Sequence, residues 1–121
     1  MRQKRRDFIK FLIKKGASKR HITYSISNDF NTVIYRIPEE NITSMFFFTD
    51  KSKFVEIDVT RKMVIDNLMD IYDRVNDINS EKSFLNCSVE DDVLCIKLWA
   101  EGSEEEIYRK YREGIELIQK F

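Results

Sequence analysis

Apolar and polar residues alternate with a period of two through His21–Ser27, where Ile22, Tyr24 and Ile26 interleave with Thr23 and Ser25. That alternation predicts a half-buried strand. Asn28-Asp29 supplies a turn, FNTVIYRI predicts a second strand, and Pro38 ends it. ITSMFFFT predicts a third strand in which Met45, Phe46, Phe47 and Phe48 are apolar on both faces. After a turn at residues 50–52, KFVEIDV predicts a fourth, with Val55, Ile57 and Val59 on one face and Glu56 and Asp58 on the other. This strand block is expected over residues 21–59.

Three segments change to helical spacing. In residues 1–16, Phe8, Phe11, Leu12 and Lys15 recur at i, i+3, i+4 and i+7, and Gly16 stands where a helix would stop. In residues 61–79, Val64, Leu68, Ile71, Val75 and Ile78 form one stripe, expected to lie across the sheet, with Thr60 as the N-cap. In residues 103–121, Ile107, Tyr108, Tyr111, Ile115, Ile118 and Phe121 form the apolar face. Ser103 to Glu106 read as a capping box, and three carboxylates in the first turn suit the helix dipole.

Between the last two helices a hairpin is expected over residues 84–99, turning at Asp91-Asp92. Pairing Val89 with Leu94 puts Leu85, Cys87, Val89, Leu94, Ile96 and Leu98 on one face. A slip by one residue would mix polar and apolar positions on both faces, which a sheet with one buried side resists. This register turns Cys87 and Cys95 to opposite faces, so no disulfide is expected. The order α-ββββ-α-ββ-α predicts a single α+β domain over residues 1–121, an antiparallel sheet with helices packed on it.

Composition agrees with that reading. A chain of 121 residues, 42% hydrophobic and 35% charged, is too apolar for a disordered chain and too charged for a membrane protein. No run approaches the roughly 18 apolar residues of a membrane span. The first 16 residues superficially look like a signal peptide, but Lys10 breaks the apolar run and no small-residue cleavage site follows. The expected location is therefore cytoplasmic.

Charge changes the picture more than composition does. The net charge is zero, yet the first 20 residues carry nine basic side chains against Asp7 alone. Arg2, Lys4, Arg5, Arg6, Lys10 and Lys14 make a candidate basic patch. It could meet nucleic-acid phosphates, an acidic protein or an anionic membrane surface, or simply be solvated. Phe8 and Phe11 lie on the apolar stripe and read as core anchors, not stacking platforms. Asp66, Asp70, Asp73 and Asp77 form an acidic face on the second helix, which reads as solvated or as a docking face for a basic partner.

Enzyme chemistry is hard to find. The single histidine, His21, opens a strand, and the three glycines are too far apart to cradle a phosphate. The two cysteines lack companions for zinc and read as small strand residues. Glu90-Asp91-Asp92 reads as a polar hairpin tip because it lacks the ligand spacing of a calcium loop. No cofactor or metal is expected, and the chain reads as non-catalytic. An unrecognised divalent-metal activity would need Asp91.

Aromatic residues on sheet faces are the other binding candidates. Phe46 and Phe48 need cover from a helix or from a second chain, and Phe84 and Trp99 pose the same problem. The hairpin register places Trp99 opposite the apolar row. A homodimer through the sheet is one expected outcome.

The segment from Phe54 to Phe121 resembles the YbjN-like family and, more distantly, the type III secretion chaperone fold. The residues that carry the likeness are the strand in KFVEIDV, the helix VIDNLMDIYDRVNDIN, the hairpin SFLNCSVEDDVLCIKLW and the acidic-capped last helix. The resemblance implies a small adaptor or chaperone-like protein, often dimeric, that binds a protein partner without chemistry. It transfers no site residues, and the basic first helix and the fourth strand depart from its pattern. Two rival readings remain. One is a nucleic-acid-associated protein acting through the first helix. The other is a protein encoded by a phage or mobile element that blocks a host nucleic-acid enzyme, with Asp66–Asp77 or Glu104–Glu106 mimicking phosphates.

Overall fold

The computed structural model describes residues 2–63, 68–82 and 85–121. Val64, Asp66 and Phe84 lie outside the described residues. The chain runs through α1 (Arg2–Lys14), β1 (Ile22–Ile26), β2 (Asn31–Ile37), β3 (Ile42–Phe48), β4 (Phe54–Lys62), α2 (Leu68–Glu81), β5 (Leu85–Glu90), β6 (Val93–Glu101) and α3 (Glu104–Gln119). The fold is α+β with the expected element order. The strands form one antiparallel sheet in the order β1-β2-β3-β4-β6-β5.

Period-two alternation decides which side of this sheet is covered. Val33, Ile42, Phe46, Phe48, Ile57, Val59, Leu94, Ile96, Leu98 and Ala100 are buried in one cluster with residues of all three helices. α1 contributes Phe8 and Leu12 over β2 and β3, and α3 contributes Ile107, Tyr111, Ile115 and Ile118 over β4 and β6. Gly114 lets α3 lie this close. A Cβ there would sit 2.8 Å from Leu98 Cδ1 and 3.0 Å from Val59 Cγ2.

Local signals set the ends of several elements. Gly16, at φ 106°, ends α1, with Gly16 N–H donating to Ile13 O and Ala17 N–H to Leu12 O, each at 3.0 Å. That pair of bonds is a Schellman turn. The β5–β6 register pairs Val89 with Leu94, as the hydrophobic pattern requires. Cys87 and Cys95 are unbonded and face opposite sides.

Four expectations need correction. Thr60 is no N-cap: it belongs to β4, and its hydroxyl donates to Thr43 O at 3.0 Å. β4 continues to Lys62 because β6 is equally long and pairs Arg61 with Leu94 and Lys62 with Val93. The second helix does not lie across the sheet. α3 occupies the sheet centre, and α2 packs chiefly against the edge strand β5. Its stripe therefore reaches the core through Ile71, Val75 and Ile78, while Leu68 is exposed. Lastly, Ser103 is the N-cap of α3, but its hydroxyl makes no capping bond. Glu106 bonds Arg109 at 2.8 Å, so the reciprocal half of the capping box is engaged elsewhere.

Candidate interaction surface on the open sheet face

Because the described helices share one side of the sheet, the residues of opposite parity form a face that none of them covers. Across its middle, Glu56 of β4 pairs with Phe47 of β3 on one side and Trp99 of β6 on the other. Asp58 pairs likewise with Met45 and Lys97, and Ile34 of β2 lies beside Met45. Ile34, Met45, Phe47 and Trp99 are all half-buried. The result is an apolar ridge crossed by a pair of acids.

At one end the ridge opens into a cavity of about 390 Å³ lined by Phe30, Phe47, Phe54, Trp99, Glu56 and the Asp29–Lys51 ion pair. Local turn chemistry presents its walls. Phe30 is 40% exposed on the β1–β2 turn, which Ser27 N–H closes by donating to Phe30 O at 2.9 Å. Its ring meets that of Phe47 nearly edge-on, with centroids 6.0 Å apart. Phe54 is 43% exposed where β4 begins, and its N–H donates to Ser52 Oγ at 3.1 Å.

Asp58, at the centre of the face, is electrostatically unusual. Burial, then a hydrogen bond and charge repulsion from Glu56, push the Asp58 carboxyl up to about 7, against a smaller opposing effect of Lys97. Asp58 Oδ1 is buried with no donor facing it. The neighbouring Glu56 is another acceptor when ionised, so one of the two must carry a proton to bond the other. Cys95 on the same face is pushed up to about 11, chiefly by burial and then by Asp58. Cys87, in the core, is pushed up to about 11 by burial and then by Cys95. Neither thiol is in the low range of a reactive cysteine. Among the described residues, no group of three His, Cys, Asp or Glu side chains is placed to hold a metal ion.

The sequence-predicted candidates divide sharply. Phe46 and Phe48 are not surface anchors. They are 0% and 2% exposed, under Phe8 of α1, with ring centroids 4.6 and 5.5 Å away. In the run Met45–Phe48 every position is apolar, so composition cannot say which parity faces the helices. Trp99 does lie on the open face, as the hairpin register requires. Of the basic patch, Arg2, Lys4, Arg6, Lys10 and Lys14 are exposed. Arg5 leaves the patch: it is 4% exposed, stacks its guanidinium 4.1 Å above the Tyr24 ring, and donates to Asn31 Oδ1 at 2.9 Å. The acidic residues Asp70, Asp73 and Asp77 are exposed on α2.

Sequence reasoning missed Phe30, Phe47 and Phe54 as a group. Pairing the acidic parity of β4 with β3 would have singled out Phe47. Nothing local announces that the β1–β2 turn and the start of β4 meet at Trp99.

No family model matches the chain, and neither a curated protein nor a solved structure matches it significantly. No described helix is long and apolar enough to cross a membrane.

Proposed function

We propose that this chain is a non-catalytic protein–protein interaction module, adaptor-like or chaperone-like, that binds its partner through the open sheet face. One observation carries the reading. Ile34, Met45 and Phe47, with Trp99 across Glu56, are partly exposed apolar residues on a face left uncovered by the chain's described helices. Contiguous apolar surface with aromatic anchors is where protein partners gain binding energy. A homodimer through this face belongs to the same reading, and so does a cytoplasmic setting.

A second reading has its own support. Arg2, Lys4, Arg6, Lys10 and Lys14 all point outward from α1, a surface suited to phosphates. Stacking of bases on the sheet aromatics is disfavoured, because Glu56 would face the backbone phosphates. In this second reading nucleic acid binds through α1.

The test is affinity capture with the tagged protein from a bacterial lysate, with and without nuclease, comparing Phe47→Glu with the triple reversal Lys4→Glu, Arg6→Glu and Lys10→Glu. A discrete protein partner that survives nuclease and is lost with Phe47→Glu is the expected result. Loss after nuclease and in the triple reversal, with Phe47→Glu unaffected, would overturn it in favour of nucleic acid.

A further inference from the structure

We propose that the aromatic groove at the Phe30–Trp99 end of the open face receives a cationic side chain, arginine or lysine, from the protein partner. This rests on the interaction-module reading and names the chemistry at its centre. Four aromatic rings reach the groove from separate places: Phe30 from the β1–β2 turn, Phe47 from β3, Phe54 from the start of β4, and Trp99 from β6. Glu56 stands between two of them, as the direct cross-strand neighbour of both Phe47 and Trp99. Aromatic faces around a carboxylate attract a guanidinium or ammonium twice, through the ring quadrupoles and through charge.

The groove discriminates among occupants. Of the lysines around the groove, Lys51 is paired with Asp29, Lys53 is paired with Glu101 at 3.4 Å and lies 5.4 Å from the Phe54 ring centroid, and Lys97 stands opposite Asp58, so none is ion-paired with Glu56. An anionic group would meet Glu56, with Asp58 next on the same face. An apolar side chain filling the groove would strip water from Glu56 and leave only its hydrogen bond with Asp58, with no counter-charge, a costly arrangement. A cationic side chain fills the aromatic space and pairs the carboxylate at once.

Trp99 is the only tryptophan of the chain, so its fluorescence reports on this groove. The probe is a blocked hexa-arginine peptide, with hexa-citrulline as its neutral isostere. Saturable change in Trp99 emission with the arginine peptide is expected, with citrulline weaker by about tenfold. Glu56→Gln should weaken the arginine peptide by a similar factor at unchanged circular dichroism. Should Glu56→Gln fail to fold, Phe54→Leu at the exposed wall takes its place and should weaken the peptide likewise. Equal response to citrulline, or undiminished binding by the folded variant, would overturn the proposal. No response to the arginine peptide, with Phe47→Glu still losing its partner in the capture experiment, would overturn the cationic occupant and spare the interaction module. Sedimentation as a dimer with Trp99 shielded from iodide and insensitive to the peptide would overturn it in favour of a second copy.

Discussion

Asp58 shows how a single side chain can oppose the fold that holds it. An ordinary aspartate ionises near 3.8, whereas Asp58 keeps its proton up to about 7, because burial and Glu56 disfavour its charge. Between those values the folded protein binds more protons than the unfolded chain. Its contribution therefore favours folding at low pH and is lost as pH rises from about 4 to about 7. Replacing Asp58 with Asn removes the titration and sets a permanent donor against Glu56. Urea denaturation of Asp58→Asn should show a flatter stability profile over this window. At pH 8 the gain should be about 1–2 kcal/mol after allowance for solvent screening. An unchanged pH profile would mean that Asp58 ionises normally. Arg5 is the basic counterpart: the helical pattern counted it as surface, but Tyr24 and Asn31 draw it inward.

At the scale of elements, the two edges of the sheet are treated differently. On β5, Asn79 of α2 acts as a substitute strand: Cys87 N–H donates to Asn79 Oδ1 at 2.7 Å, and Asn79 Nδ2 donates to Cys87 O at 2.8 Å. Edge strands with unpaired backbone groups are templates for association, and this pair of bonds blunts one. β1 carries Tyr24 and Ile26 exposed at the other edge. Asn79→Ala strands both backbone groups of Cys87. It should lower stability by about 1–3 kcal/mol and speed amide exchange at Cys87, read by denaturation and hydrogen exchange. Protection unchanged at Cys87 would show that other groups satisfy the edge. None of this was legible beforehand. Asn79 sits in a polar stretch of helix, and only the packing of α2 against β5 makes its amide a strand partner.

At the scale of the whole molecule, positive charge is concentrated in α1 while apolar contact fixes that helix in place. Phe8 and Leu12 are in the core, and Lys10 and Lys14 are exposed. The two roles should separate by mutation. Phe8→Ala should cost about 3–5 kcal/mol. Lys10→Glu with Lys14→Glu should stay within about 0.5 kcal/mol. Chemical denaturation of both variants checks this, and a small cost for Phe8→Ala would show α1 to be a loosely held arm.

The sequence by itself determined the element order, the antiparallel α+β class and the hairpin register, because alternation and helical spacing are local and a one-residue slip exposes a whole apolar row. It also placed Trp99 and the acids Glu56 and Asp58 opposite the apolar rows of their strands. Tertiary structure decided the rest. Burial of Phe46 and Phe48 instead of Phe47 depends on the pairing of β3 with β4, since an all-apolar run carries no parity of its own. Continuation of β4 to Lys62 depends on β6, a neighbour in space that is distant in sequence. The groove depends on four aromatics brought together only by the assembled sheet.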